Sequence, residues 1–143
     1  MSALYPERMA KLAGSMREAL QLLAELRDIP EDVFLSDKHR QSSAKYNFTI
    51  AIEAAIDMAN HIISRDRLRT PEDYVDTFQV LTEAGAVPQD FADELKKMAR
   101  FRNRLVHLYW SVDVSEIRRI LVARLGDFDR FLSCVGQRMK ADM

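Results

Sequence analysis

The sequence contains a single cysteine, Cys134, among its 143 residues. One thiol cannot form an intramolecular disulfide, and it cannot supply a four-cysteine zinc site. The class of small secreted proteins that are stapled by disulfides is therefore excluded, and a reducing cytoplasmic location is favoured. Residues that interrupt helices are also scarce, with four glycines and four prolines. Long flexible loops are not expected in such a chain.

Long apolar runs and an excess of one charge are missing as well. The most hydrophobic stretch, residues 48–63, is interrupted by Glu53, Asp57, Asn60 and His61. It therefore falls short of the ~20 apolar residues that a membrane span requires. Residues 1–12 carry charges where a secretion signal needs an apolar run. The 21 basic and 22 acidic residues give a net charge of −1, which excludes a general polyanion binder.

The sequence does contain helical periodicity along most of its length. Apolar residues recur at steps of three and four, and no period-two run competes with this pattern. These signals predict an all-α fold, a single-domain helical bundle of four long helices plus one shorter helix over residues 1–143. The first predicted helix ends at Asp28 to Pro30, and Ser36 caps a second that ends near Ser64. Thr70 to Asp73 start a third helix, which stops at Gly85. Pro88 opens a fourth that reaches about Tyr109, and Asp113 caps a fifth that runs past Val135.

The second predicted helix carries one polar stripe on an otherwise apolar surface. Its composition predicts the central position in the bundle. Glu53, Asp57 and His61 nevertheless follow one another at steps of four. Buried carboxylates need cationic or hydrogen-bonded partners. Two interpretations stay open, a structural ion pair and a solvated edge of the helix.

The fourth predicted helix concentrates positive charge. Residues 96–107 hold five cations and no acid. At about 100° per residue, Arg100, Asn103, Arg104 and His107 share one face. This face, with Lys97, is a candidate for binding RNA phosphates, although most charge runs of this kind are simply solvated helix faces.

Arg102 does not join that face. It lies among the apolar positions of the same helix, where a guanidinium must be paired. Glu53 and Asp57 are the candidate partners. Arg102 and His107 diverge by about 140° around an ideal helix. A site that uses both is therefore expected in a cleft between helices or at a dimer interface.

The sequence lacks the motifs of several enzyme classes. There is no phosphate-binding glycine loop and no Gly-x-Ser-x-Gly, and Cys134 has no histidine near it in sequence. The three histidines show no metal-ligand spacing, so no metal site is expected. An imidazole beside guanidinium groups and an amide suits metal-independent phosphodiester cleavage. In RNA the 2′-hydroxyl is the available nucleophile.

The segment from Arg102 to His107 resembles the Arg-x(4–6)-His signature of the HEPN superfamily. With Tyr109 it becomes Arg-x-x-x-x-His-x-Tyr, which is similar to the motif of HepT-like toxins. The central stretch IAIEAAIDMANHII and the TPEDY sequence before the third helix also resemble HepT-like chains. The similarity spans roughly residues 34–131.

The resemblance implies a HEPN-like helical bundle that acts in the cytoplasm as a metal-independent endoribonuclease toxin of a type VII toxin–antitoxin pair. It implies a homodimer with the motifs of both chains in one cleft, an RNA substrate such as tRNA or mRNA, and no cofactor. The implied antitoxin is a cognate MntA-like minimal nucleotidyltransferase.

The resemblance also assigns roles to individual residues. Arg102 would stabilise the scissile phosphate, His107 would act as general acid and base, and Asn103 would orient the phosphate or the imidazole. Tyr109 would be the site at which the antitoxin attaches AMP. Glu53 and Asp57 would hold Arg102 in place.

Two other hypotheses remain at this point. The chain could be a non-catalytic helical subunit that binds a minimal nucleotidyltransferase, with the basic face serving that complex. It could also be a structural bundle in which Arg102 only neutralises Glu53 and Asp57. RNA cleavage by the free chain separates the first hypothesis from both.

Overall fold

The computed structural model describes residues 4–140, with side chains from residue 6 onward. The all-α prediction is confirmed for this part of the chain, which has no strand, but the α-helices number seven rather than five. The ends of the predicted domain, residues 1–3 and 141–143, lie outside the described residues. The helices are α1 (Leu4–Arg27), α2 (Glu31–Ser36), α3 (Lys38–Arg65), α4 (Tyr74–Glu83), α5 (Gln89–His107), a 3₁₀ turn (Tyr109–Ser111), α6 (Val114–Ala123) and α7 (Gly126–Lys140).

The centre of the fold is α3, as the sequence predicts. It packs against each of the other six α-helices. Large side chains such as Phe48, Ile52 and Met58 are fully buried on it. Buried alanines between them, including Ala51 and Ala55, let neighbouring helices approach closely because they add little bulk. The packing of α5 against α3 therefore sets the position of the side chains that α5 carries.

The predicted start of this helix at Ser36 is wrong by one residue. The Asp37 carboxylate accepts hydrogen bonds from the backbone N–H groups of His39 and Arg40 and is the N-cap. Ser36 instead ends the short helix α2, where its hydroxyl donates to the carbonyls of Asp32 and Val33. Aspartate and serine cap helices about equally well, so the adjacent pair left the sequence ambiguous.

The predicted start of the next helix at Thr70 is also wrong. Asp73 is the N-cap of α4, and its carboxylate accepts from the N–H of Asp76. Arg69 pairs with both Asp76 and Glu83 across the surface of α4. These contacts lower the pKa of Asp76 to about 2, chiefly through its hydrogen bonds with Arg69. Residues 70–72 form a loop in front of the helix, where the Glu72 N–H donates to the Asp76 carboxylate.

The end of α4 at Gly85 is confirmed. Gly85 has a φ of +77°, the left-handed conformation that favours glycine. Its N–H donates to the Thr82 carbonyl, and the Ala86 N–H donates to the Leu81 carbonyl. This pair of bonds satisfies carbonyl groups that the helix end would leave without partners.

Replacing Gly85 by alanine is expected to destabilise the fold by roughly 1–2 kcal/mol, because the new side chain is strained at positive φ. Gly14→Ala is the matched control. Gly14 lies inside α1 with nothing within 4 Å of an added Cβ, so this change should stabilise by about 0.5–1 kcal/mol. Urea unfolding of both variants measures the difference, and equal shifts of the same sign would contradict the prediction.

The predicted fifth helix is broken into α6 and α7. The break falls at Arg124 and Leu125, where the Arg124 N–H still bonds to the Ile120 carbonyl while its φ and ψ leave the helical region. The Arg124 guanidinium turns to Glu94 and Asp127. The apolar stripe survives the break, because its core residues remain buried on both sides: Ile117, Leu121, Leu125, Phe128, Phe131 and Val135.

Candidate functional site

Arg102 lies on the inner side of α5, between α3 and α4. Its Nε and Nη2 atoms donate to Oε2 of Glu53, at 3.1 and 2.8 Å. Its Nη1 donates to Oδ1 of Asn103 at 3.2 Å, and the guanidinium carbon is 4.8 Å from the centre of the Tyr74 ring. The side chain is 14% exposed. The predicted contact with Glu53 is therefore present, and the guanidinium is held from three sides.

Asp57 does not share this role. It is exposed one turn further along α3. Partial desolvation and the charge of Glu53 raise the pKa of Asp57, while His61 and Arg8 oppose the shift. Of the two interpretations of this stripe, the ion pair holds for Glu53 and the solvated edge for Asp57, while the Glu53 side chain itself is 40% exposed. The predicted contact of Asp57 with Arg102 is wrong.

His107 is the last residue of α5 and is exposed. Within residues 4–140 its side chain makes no hydrogen bond, ion pair or ring contact. Arg102 and His107 thus differ in how firmly their side chains are held, as well as in the direction in which they point from α5. The guanidinium is fixed, whereas the imidazole is free to meet a substrate or a second chain.

The cations predicted to bind phosphate are not equally available. Arg104 forms a two-bond pair with Glu116, at 2.8 and 2.6 Å, and Lys97 pairs with Glu94 at 3.3 Å. Arg100 is exposed and has no ion pair within the described residues. The shared face of Arg100, Arg104 and His107 exists, but only Arg100 among its guanidinium groups is uncommitted.

Tyr109 lies outside α5, in the 3₁₀ turn. The Nζ of Lys45 donates to the Tyr109 carbonyl at 3.1 Å and lies 4.1 Å from the ring centre. The phenol donates to Oγ of Ser42 over 3.4 Å. The sequence predicts a helix that reaches about Tyr109, but α5 ends at His107 and Leu108 leaves the helix at φ −130°.

Tyr109 and Arg102 are instead linked through α3. Lys45, which holds Tyr109, and Glu53, which holds Arg102, are eight residues apart, or about 12 Å along the helix. Lys45 was missed at the sequence level, although its spacing from Thr49 and Glu53 at steps of four could have indicated it. Tyr74 was missed because only the folded chain brings α4 over Arg102.

We call the solvent-facing stripe of α3 that runs from Ser42 to Asp57 the open face. Tyr46 on it is 65% exposed, and Ser42 and Asp57 are exposed as well. Apolar side chains beside His107 are also uncovered, and Trp110 is 93% exposed against the edge of the Tyr109 ring. Neighbouring aromatic and aliphatic groups that are left uncovered are candidates for an interaction surface.

Metal-binding clusters and membrane-spanning helices are both absent from residues 4–140. No group of three or more histidine, cysteine, aspartate or glutamate side chains there could hold a metal ion. In the same part of the chain no helix is both long and apolar enough to cross a membrane.

Comparison with known proteins gives a consistent set of relatives. Residues 16–135 match the family model described as "Ribonuclease HepT-like". The mRNA nuclease HepT of Shewanella oneidensis is 32% identical over 102 residues, which cover 71% of this chain and 77% of that protein. The tri-AMPylated HEPN toxin of the same organism, solved in complex with an MNT antitoxin, has a TM-score of 0.82 at 26% identity, covering 96% of this chain and 99% of that one. The Bacillus subtilis protein YutE, described as a cytosolic protein of unknown function, shares the fold with a TM-score of 0.83 at 22% identity, over 96% of this chain and 92% of that one.

Proposed function

Because the chain belongs to the HepT-like ribonuclease family, we propose that it is a metal-independent endoribonuclease toxin of a toxin–antitoxin pair. It cuts RNA with Arg102 and His107 in the cleft of a homodimer, in the cytoplasm. The observation that carries the proposal is the contrast between a guanidinium fixed by Glu53 and Asn103 and an exposed imidazole that has no hydrogen-bond or ion-pair partner among the described residues. Its test is RNA cleavage by the purified chain in EDTA.

His107 moves the protons of the reaction. A 2′-hydroxyl of the RNA attacks the adjacent phosphorus and gives its proton to a base, the bond to the 5′-oxygen breaks, and that oxygen takes up a proton. The products are a 2′,3′-cyclic phosphate and a 5′-hydroxyl. An imidazole titrates near neutral pH and can serve both proton transfers. The exposed position of His107 supports this role because RNA can reach it.

Arg102 stabilises the negative charge that develops on the phosphoryl oxygens. Glu53 and Asn103 act as positioning residues, since each is bonded to the guanidinium. Arg100 is the cation best placed to bind a neighbouring phosphate, because Lys97 and Arg104 are already paired with acids. Asp57 faces solvent and is not proposed as a partner of Arg102.

A homodimer accounts for the divergence of the two motif residues. Arg102 and His107 point about 140° apart on an ideal helix, which favours a site shared by two chains. The open face of α3 lies beside Arg102, and Tyr46 on it is an uncovered aromatic group. A second copy packed on this face would bring its own His107 towards Arg102 and complete the cleft.

The partner antitoxin is a minimal nucleotidyltransferase of the MntA type that transfers AMP to Tyr109. In that step the phenol oxygen bonds to the α-phosphorus of ATP, the bond to the β-phosphate breaks, and pyrophosphate leaves with the phenol proton taken up by a base. The AMPylated HEPN toxin in complex with its MNT antitoxin supports this step. The added anion would repel RNA phosphate next to His107.

Tyr109→Phe is expected to abolish this modification on co-expression with the antitoxin, because it removes the acceptor oxygen. The ring contacts with Lys45 and Trp110 do not need the hydroxyl, so the variant should keep its fold. Intact-mass measurement after co-expression checks the result, with Tyr46→Phe as the control for another exposed tyrosine. An AMP mass increment that persists in Tyr109→Phe and disappears in Tyr46→Phe would contradict the assignment.

The alternative of a non-catalytic binding subunit makes a different prediction. The free chain would form a tight complex with the nucleotidyltransferase and would cleave no RNA. Cleavage by wild-type chain that is lost in His107→Ala excludes that alternative.

A further inference from the structure

Trp110 is the most exposed large hydrophobic side chain in the described part of the molecule, at 93%. It is also the only tryptophan of the chain. It lies in the 3₁₀ turn after α5, and its ring meets the Tyr109 ring with the centres 5.1 Å apart and the planes at 84°. This ring contributes little to the stability of the fold, because nearly all of its surface stays in water. Its faces are therefore available to a group that the folded chain does not itself provide.

A lysine without an acidic partner lies against the Tyr109 ring. The Nζ atom of Lys45 is 4.1 Å from the ring centre and donates to the Tyr109 carbonyl at 3.1 Å. Among the described residues, no carboxylate forms a salt bridge with Lys45. An ammonium group has three N–H donors, so the bond to the carbonyl leaves donors for a further acceptor. A phosphate attached to this tyrosine would supply the negative charge that Lys45 lacks.

Ser42 supplies a second polar contact one turn earlier on α3. Its exposed hydroxyl accepts a hydrogen bond from the Tyr109 phenol over 3.4 Å. Once the phenol oxygen is esterified, it has no proton to donate, and the Ser42 hydroxyl can donate to a phosphate oxygen instead. Ser42 and Lys45 are three residues apart on α3 and therefore lie on the same side of the helix. Together they form a small polar site next to the phenol oxygen.

The adenine of an AMP group on Tyr109 can reach the Trp110 ring. The phosphate and the ribose place several rotatable bonds between the phenol oxygen and the base, so the base can fold back onto the neighbouring residue. Stacking on an aromatic side chain is favourable for every base, because every base has a π-face. Stacking also removes apolar surface of both rings from water. Trp110 therefore suits the adenine, as Lys45 and Ser42 suit the phosphate.

We propose that the chain holds the AMP group on Tyr109 in a site of its own, with the adenine stacked on Trp110 and the phosphate bound by Lys45 and Ser42. The inference rests on the proposed function, because it takes the modification of Tyr109 from it, and it adds what the chain does with the attached group. The turn begins two residues after His107, so the held AMP group stays beside the proposed cleavage residue and occludes it. Silencing then depends on the position of the AMP group, and not on its charge alone.

The fluorescence of the single tryptophan measures the stacking directly. In the unmodified chain, the exposed Trp110 should emit as tryptophan does in water. In purified chain that carries AMP on Tyr109, as shown by intact mass, the emission should be strongly quenched, since stacking favoured by roughly fivefold or more leaves most molecules stacked. Removal of the AMP by a phosphodiesterase should restore the emission. This measurement uses only the wild-type chain, and the same emission with and without AMP would overturn the proposal.

The second measurement is the rate at which a phosphodiesterase releases the AMP unit bonded to Tyr109. Trp110→Leu keeps an apolar side chain but removes the aromatic face, so it should release AMP about fivefold faster or more. Trp110→Phe should keep most of the protection. Lys45→Gln keeps a donor for the Tyr109 carbonyl but removes the charge, and it should also release AMP faster. Val122→Ala, which truncates another exposed apolar side chain on α6, should release AMP at the wild-type rate.

Each half of the site has a result that contradicts it. A wild-type release rate in Trp110→Leu would overturn the stacking, even if the emission changes on modification. A wild-type release rate in Lys45→Gln would remove Lys45 from the phosphate site. A second copy of the chain seated on Trp110 is the competing occupant. It would give the unmodified chain an emission that shifts on dilution and does not respond to AMP, and this result would overturn the proposal as well.

Cleavage of RNA by the unmodified chain, measured in parallel, separates this proposal from the preceding one. Quenched emission and protected AMP in a chain that cleaves no RNA would remove the ribonuclease mechanism and leave the AMP site. An active chain with AMP on Tyr109 and unchanged emission would remove only the AMP site. Co-expressed chain without AMP on Tyr109 would remove both the modification and the site, and would leave the cleavage mechanism.

Discussion

His107→Ala is expected to lower the rate of RNA cleavage by roughly 10²–10⁴-fold, the range for loss of a general acid–base group. The melting temperature should change little, because the exposed imidazole makes no hydrogen bond, ion pair or ring contact among the described residues. The wild-type rate should be the same in EDTA as in buffer with magnesium. Cleavage of a labelled RNA under single-turnover conditions measures the effect.

His61→Ala is the histidine control for this experiment. His61 lies near the far end of α3, sixteen residues or about 24 Å along that helix from Lys45, which holds Tyr109. It should retain the wild-type cleavage rate. If His107→Ala cleaves as fast as His61→Ala, the imidazole of His107 is not part of the chemistry.

Arg102→Ala is expected to reduce cleavage by about 10²–10³-fold, the cost of removing one preorganised donor to transition-state charge. Unlike the histidine variant, it should also destabilise the fold. Glu53 would lose its ion pair, but its 40% exposed carboxylate can be rehydrated. The cost should be about 1–2 kcal/mol, below the 3–5 kcal/mol of a fully buried broken pair. Chemical unfolding and cleavage assays on the same preparation measure the two effects.

Conservative variants separate the two roles of this arginine. Arg102→Lys keeps the charge but cannot form the two bonds to Glu53, so its cleavage should remain low. Glu53→Gln keeps a hydrogen-bond acceptor for the guanidinium and should lose stability while retaining much of the activity. An Arg102→Lys variant with full activity would show that only charge is needed at this position.

The parts of the fold that follow from apolar periodicity could be predicted from the sequence. The central position of α3 and the buried stripe of α6 and α7 depend on which residues are apolar, and both are present. The left-handed end of α4 at Gly85 was also predictable, because only glycine adopts that conformation at little cost. These features are local or depend on composition alone.

The rest depended on contacts between residues distant in sequence. Arg124 leaves the helical conformation and pairs with Glu94 on another helix. The sequence around Arg124 does not indicate this contact. Arg104 was expected to face a substrate, yet Glu116 on α6 pairs with it. The predicted fourth helix extended two residues too far, to Tyr109, which lies in the 3₁₀ turn instead. An ideal helical wheel cannot show where a helix stops.

The contact of α3 with every other α-helix has a consequence for how the molecule unfolds. Each of these helices covers part of the surface of α3. Loss of any one neighbour exposes apolar surface on the element that all the others need. The free energy of unfolding therefore depends on all the helices together, through their packing on α3. Unfolding should be all-or-none, without a stable partly folded form.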